Sequence, residues 1–272
     1  MQIALIQQTV SPDTAANLSR ALAAIESAAA RGAELLAFAE LAFEPFYPRE
    51  RACGTVANLA EPIPGPTTNA LAEAARRHGV VIVANLYERD GEHCYDTSPV
   101  FDADGTLLGR TRMIHITEYE GFHEQGYYSP GNTGVPLYQT KLGKIGVAIC
   151  YDRHFPEVMR ALGVGGAELV IVPQAGTVGE WPEGLYEAEM RVAAFQNGYY
   201  VALCNRVGKE GGLHFAGESF ICSPEGAVIA RAATDAEEIL QANLDLTACD
   251  RSHARQLFLR HRRPELYAGW VQ

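Results

Sequence analysis

The chain has 272 residues, 47% of them hydrophobic and 20% charged. This composition excludes a disordered polymer and leaves enough apolar material for a sizeable core. The formal net charge of −11 argues against a general nucleic-acid binder or a partner of anionic membrane surfaces, since both need a surplus of Lys and Arg.

Short apolar runs alternate with helical patterns along the chain. Ile3 to Ile6 is the first strand, followed by Ser11-Pro-Asp-Thr14 as helix-starting chemistry. An Ala/Leu-rich helix from about Asn17 to Ala30 stops at Gly32. Glu34 to Ala39 is a strand, Leu71 to His78 a helix closed by Gly79, and Val80 to Ala84 a continuous apolar strand. Such a run fits a sheet covered on both faces. Strands at Pro99 to Phe101 and Leu107 to Arg110 flank Asp102-Ala-Asp-Gly105, a hairpin signal. The spacing then predicts a strand over Ile145 to Ile149, a helix over Pro156 to Leu162, a strand over Leu169 to Val172 and a helix over Glu183 to Gln196. Strands at Tyr199 to Leu203, Ser219 to Cys222, Ala227 to Ala230 and Ile239 to Leu244 complete the chain, with a turn at Pro224-Glu-Gly226. Regular alternation without linkers or repeats indicates one α/β domain over residues 1–272.

No apolar run reaches the roughly 18 residues needed to cross a bilayer. The start, Met1-Gln-Ile-Ala-Leu-Ile6, lacks the basic region of a secretory signal. The cysteines Cys53, Cys94, Cys150, Cys204, Cys222 and Cys249 form no CxxC pair and are expected to be reduced thiols in a cytoplasmic protein. Cysteines and histidines show no metal-ligand spacing, so no metal is expected.

Three segments carry candidate chemistry. In Gly143-Lys-Ile-Gly-Val-Ala-Ile-Cys150 a buried strand ends in a thiol, where α/β folds place ligands and where a nearby base makes a nucleophile. Glu40 interrupts the apolar stretch Leu36 to Leu41, and desolvation there raises a carboxyl toward the range of a general base. Glu44 reads as an ordinary loop residue. The polar, aromatic segment Glu118 to Gly131 has the habit of a pocket-shaping loop and includes Glu124.

In this order and spacing the segments resemble the nitrilase, or carbon–nitrogen hydrolase, superfamily from about Gln2 to Tyr267. The resemblance is most specific at Ala148-Ile-Cys-Tyr-Asp-Arg-His-Phe-Pro-Glu157, with support from Phe38-Ala-Glu40, Asp102-Ala-Asp-Gly105, Ser129-Pro-Gly131 and Cys204-Asn-Arg-Val-Gly208. It implies a four-layer α-β-β-α sandwich that assembles as a homodimer or higher homo-oligomer. Subunit contacts would fall on the Phe155 to Leu162 helix and the tail around Leu257 to Trp270, within a C-terminal segment of about 250–272. It implies a catalytic set of Glu40, Cys150 and Glu124 that requires no metal or organic cofactor, with the oxyanion held by the backbone N–H of Tyr151 and by a lysine near His115. The sequence departs from the family here, because the lysine position holds Met113 or, with a one-residue shift, Arg112. Arg112 is the expected stand-in. The pattern looks most like branches that hydrolyse N-carbamoyl compounds, such as β-ureidopropionase and N-carbamoylputrescine amidase, with small aliphatic amides as the neighbouring substrate class. Arg153, His154, Trp181 and Arg206 are the expected substrate-binding groups. The competing reading is a catalytically impaired member that binds a small ligand or a partner.

Overall fold

The computed structural model describes residues 1–267 and 269. Two sheets dominate it. The first has the strand order Glu238–Asn243, Gln2–Gln7, Leu35–Phe38, Val81–Val83, His93–Phe101, Leu86–Asp90, with Leu107–Arg112 also paired to His93–Phe101. The second runs Val228–Arg231, Phe220–Cys222, Tyr200–Asn205, Leu169–Gln174, Gly143–Val147, Leu137–Thr140.

The period-2 alternation of strand side chains explains why these strands are apolar throughout. Ile3, Leu5, Leu35, Ala37, Val81 and Val83 face the second sheet, which contributes Val147, Leu169, Ile171 and Ala202 to the same core. Their neighbours Ala4, Ile6, Leu36, Phe38 and Ile82 face outward onto the helices Thr14–Ala30 and Pro66–His78. On the other side Val170, Val172, Val201 and Leu203 pack on Pro156–Val164 and Leu185–Asn197. Three cores between four layers make the α-β-β-α sandwich expected from the sequence.

Local chemistry sets the helix limits. Asp13 caps the first helix by accepting from the Ala16 N–H at 3.0 Å. The second begins at Pro66, five residues before the sequence-based start at Leu71. Gly65 is its N-cap, Pro66 occupies the first position, and the Thr68 hydroxyl accepts from the Gly65 N–H at 2.7 Å. Gly79, at φ 67, closes it as expected. The Leu86–Asp90 strand is an addition to the sequence-based elements. Its charged end hid it, yet that end carries Glu88 into a buried ion pair. Trp270, expected in subunit contacts, lies outside the described residues. Among the described residues no helix is long and apolar enough to cross a membrane.

Ile171 is fully buried between the sheets. Ile171→Ala should destabilise the fold by about 2–5 kcal/mol. A urea titration followed by fluorescence checks this, and an unmoved midpoint would show that the two sheets do not depend on this packing.

Candidate active site

Glu40 follows the Leu35–Phe38 strand and Cys150 follows Gly143–Val147, so the two stand at the C-terminal ends of parallel strands in facing sheets. The Glu40 N–H donates to the Gln174 carbonyl at 3.4 Å, which ties the two sheets together at this point. Cys150 sits at φ 40, in the left-handed region that a non-glycine residue adopts only at a strain cost. The following turn, Cys150–His154, is held by Asp152, whose carboxylate accepts from the Ile114 and His115 N–H groups at 3.0 to 3.2 Å. The segment after the Leu107–Arg112 strand is thereby fixed against the thiol turn.

Both Glu40 oxygens are buried and meet no N–H or hydroxyl donor. The groups that face Glu40 are the Asp96 carboxyl and the Cys150 thiol. Asp96 comes from the His93–Phe101 strand; one oxygen accepts from Asn85 Nδ2 at 2.5 Å, and the other has no donor. Asn85 in turn accepts from the Leu41 N–H at 2.7 Å. Glu124 accepts from the Thr117 N–H at 3.2 Å through one oxygen, while its second oxygen is buried without a partner. The Tyr128 hydroxyl, also buried and unpartnered, is surrounded by Asp96, Glu40 and Glu124. Gln174 Nε2 donates to Cys150 Sγ at 3.3 Å.

Desolvation governs the protons of this cluster. It pushes Glu40 up to about 7, aided by the nearby Glu124 and opposed by hydrogen bonds from Asp96 and Cys150. Asp96 rises well above the usual carboxylate range through burial and through Glu40, so Asp96 carries the proton that the two carboxyls share. Burial above all, and then the neighbouring Asp96, likewise push Glu124 well above the usual carboxylate range. The Cys150 thiol is pushed up by burial, then by Glu40 and Glu124, so it rests as S–H beside Glu40. Glu44 is no ordinary loop residue: it is buried, accepts from the Tyr87 N–H at 2.5 Å, and is pushed up to about 8 by desolvation.

The residues expected near the oxyanion need correction. Arg112 lies at 3% side-chain exposure with its guanidinium committed elsewhere. It donates to both oxygens of Glu88, at 2.8 and 2.6 Å, to Asp90 at 2.7 Å and to Asn132 at 2.8 Å, and it lies over the Tyr95 ring. The cause is strand parity. Arg112 is paired with Thr97, whose hydroxyl also binds Glu88. The next register step sets Met113 opposite Asp96, with the Met113 N–H donating to the Asp96 carbonyl at 2.9 Å. Directly opposed residues share a face, so Met113, fully buried in the inter-sheet core that also holds Cys150, stands on the site face. Arg112 stands on the other.

Arg206 is also no substrate anchor. It is fully buried and donates to the carbonyls of Glu40, Leu41 and Glu44 and to the Glu210 carboxylate. It shapes the Glu40 loop from behind. Arg153 donates to the Cys150 carbonyl at 2.9 Å and to Gln174 at 2.8 Å. His154 binds Glu189 at 2.6 Å and stands edge-on to the Trp181 ring at 5.1 Å. His154 lines a cleft of about 590 Å³ between the two outer helices, Trp181 lines another of about 370 Å³, and neither cleft includes Cys150 or Glu40. Sequence reasoning missed Asp96, Tyr128 and Gln174. The one available signal for Asp96 was an acid inside the otherwise uncharged run Cys94 to Phe101.

The carbon-nitrogen hydrolase family model matches residues 2–254. This chain belongs to that family. An N-carbamoylputrescine amidase from Solanum lycopersicum is 34% identical to it, over 97% of this chain and 93% of that one. A carbon-nitrogen hydrolase structure from Helicobacter pylori G27 superposes with TM-score 0.90 at 26% identity, covering 100% of this chain and 98% of that one. An amidase from Nesterenkonia sp. AN1 superposes with TM-score 0.84 at 27% identity, covering 100% of this chain and 97% of that one. That structure shows the acetamide moiety of fluoroacetamide added covalently at its active-site cysteine.

Arg112→Ala removes one of the two arginines that reach the buried Glu88 and should lower the melting temperature. The kcat of the folded variant should fall by much less than the roughly 10²–10³ expected on losing an oxyanion donor. Thermal unfolding and active-fraction kinetics on the same sample separate the two effects.

Proposed function

We propose that this carbon-nitrogen hydrolase cleaves N-carbamoyl amines or amino acids, or small aliphatic amides, through a covalent intermediate on Cys150, releasing ammonia. The observation that carries the reading is the Cys150 thiol held against the Glu40 carboxyl at the ends of facing sheets. Glu40 takes the thiol proton as sulfur attacks the substrate carbon, then passes it to the leaving nitrogen. A thiol raised by burial needs this coupling, because free thiolate is scarce in the resting site. The Tyr151 N–H, first in the turn after the nucleophile, is the backbone donor toward the developing oxyanion. Glu124, kept neutral, can donate from its free carboxyl edge and orient the substrate. Water then hydrolyses the thioester with Glu40 as base. The Solanum relative and the covalent adduct in the Nesterenkonia amidase support the substrate class and the thiol chemistry. All six cysteines are free, in keeping with a cytoplasmic enzyme.

We also propose a homodimer that covers the outer face of the Pro156–Val164 and Leu185–Asn197 helices. Val164 and Val192 are about half exposed there, and Leu257 and Phe258 lie exposed in the tail. Val192→Asp should shift the mass seen by light scattering to that of one chain; an unchanged mass would remove this face from the interface.

Cys150→Ala should abolish turnover and leave the fold intact, and Glu40→Gln should be nearly as damaging with substrate affinity retained. Because Glu40 is raised to about 7 and acts as a base, kcat/KM should climb as pH rises through that value. A rate that instead falls across pH 7 would assign the essential form to the protonated carboxyl.

A further inference from the structure

A thiolate at Cys150 stands in a poor place for negative charge. Burial, then Glu40 and Glu124, hold the proton on its sulfur, and Met113 on the site face is a thioether with no charge to offset them. Arg153 works against them, because its charge favours the thiolate. The Arg153 side chain is 1% exposed and lies over the Tyr186 ring at 4.4 Å. Among the described residues its Nε and Nη2 meet no hydrogen-bond acceptor, and the Glu189 carboxylate stands 3.5 Å from Nε. Nη1 is committed, to the Cys150 carbonyl at 2.9 Å and to Gln174 Oε1 at 2.8 Å.

Gln174 completes the connection. It ends the strand Leu169–Gln174, beside the strand that leads to Cys150, and its side chain is buried. Its main-chain carbonyl accepts from the Glu40 and Arg206 N–H groups at 3.4 and 3.1 Å, and its Nε2 donates to Cys150 Sγ at 3.3 Å. Chemistry fixes the direction of this amide. A guanidinium only donates, so Oε1 faces Arg153 and the amide N–H faces sulfur. Turned over, the amide would set N–H against N–H and a carbonyl against the thiolate. The guanidinium also polarises the amide and strengthens its N–H as a donor. Such a chain does little for a neutral S–H and much for a negative sulfur.

We propose that Gln174 is a further catalytic residue, donating to the Cys150 thiolate as Glu40 takes its proton, and that Arg153 is the positioning residue that aims the Gln174 amide. The inference rests on the reading of Cys150 as the nucleophile. In the first step the S–H proton passes to Glu40 and a sulfur electron pair forms the carbon–sulfur bond. The Gln174 bond is strongest just before attack and weakens as the charge moves to the substrate oxygen. After water adds to the thioester carbon, the carbon–sulfur bond breaks, its electron pair returns to sulfur, and the same N–H receives it. Positive charge thus reaches the nucleophile from the turn that follows it, not from the strand end that carries Met113.

Alkylation by iodoacetamide across pH, followed at the Cys150 peptide by mass spectrometry, reads thiolate formation directly. It is measured with thermal unfolding for wild type, Gln174→Met, Gln174→Glu and Arg153→Met. Gln174→Met removes the donor at similar volume, and its Cys150 profile should move up by about one to two pH units, the range of one hydrogen bond to a charged group. Arg153→Met should move the profile in the same direction. Gln174→Glu keeps the shape, and Arg153 holds the new carboxylate ionised. That variant should melt near wild type yet show the largest upward move, because a negative oxygen replaces the N–H. A packing role alone predicts the opposite order, with Gln174→Glu the mildest. An unmoved profile in either Met variant, or a Gln174→Glu profile at or below that of wild type, would overturn the proposal and leave Cys150 as the nucleophile. Iodoacetamide that modifies the exposed Cys53 but never Cys150 in wild type, at any pH, would overturn the nucleophile reading and this inference with it.

Discussion

Burial of carboxyl groups where two sheets meet is the constraint on which this site depends. An ionised carboxylate away from water must find a cation or donors, or else take up a proton. Glu88 takes the first course: Arg110 and Arg112 both reach it, and Thr97 donates to it, so it is a finished structural ion pair. Asp96 and Glu124 take the last course, and Glu40 shares the proton that Asp96 carries. Their protons are mobile where a guanidinium would be fixed, and that difference separates a structural cluster from a reactive one.

The two clusters lie on opposite faces of the same pair of strands. Thr97 and Arg112 look one way, Asp96 and Met113 the other, and a single step of register decides which residue belongs to which. Arg206 adds a third arrangement, in which a buried cation binds carbonyls. It thereby fixes the Glu40 loop from its main chain and leaves the Glu40 carboxyl free to exchange a proton.

Much of the architecture was legible in the sequence because apolar runs bounded by Gly and Pro mark strands covered on both faces. The thiol at a strand end and the acid at another were legible for the same reason: each breaks an apolar run at its C-terminal end. The Leu86–Asp90 strand was not, since three of its five residues are charged. Asp96 was missed because its role comes from a neighbour 56 positions away in the chain, Glu40, brought close only by sheet pairing. Arg112 was misassigned because charge was weighed above strand parity. Composition alone does not say which face a residue takes.

Glu40 and Asp96 ride on one sheet, whereas Cys150 and Gln174 ride on the other. Proton donor and acceptor are thus carried by separate halves of the sandwich, joined through the inter-sheet packing and the Glu40 to Gln174 backbone bond. The side chains of that core therefore work as a spacer gauge. A repacked core of equal volume and equal stability that let the sheets slip by about an ångström would pull thiol from carboxyl. Core substitutions here are constrained by the thickness they preserve as much as by the free energy they contribute.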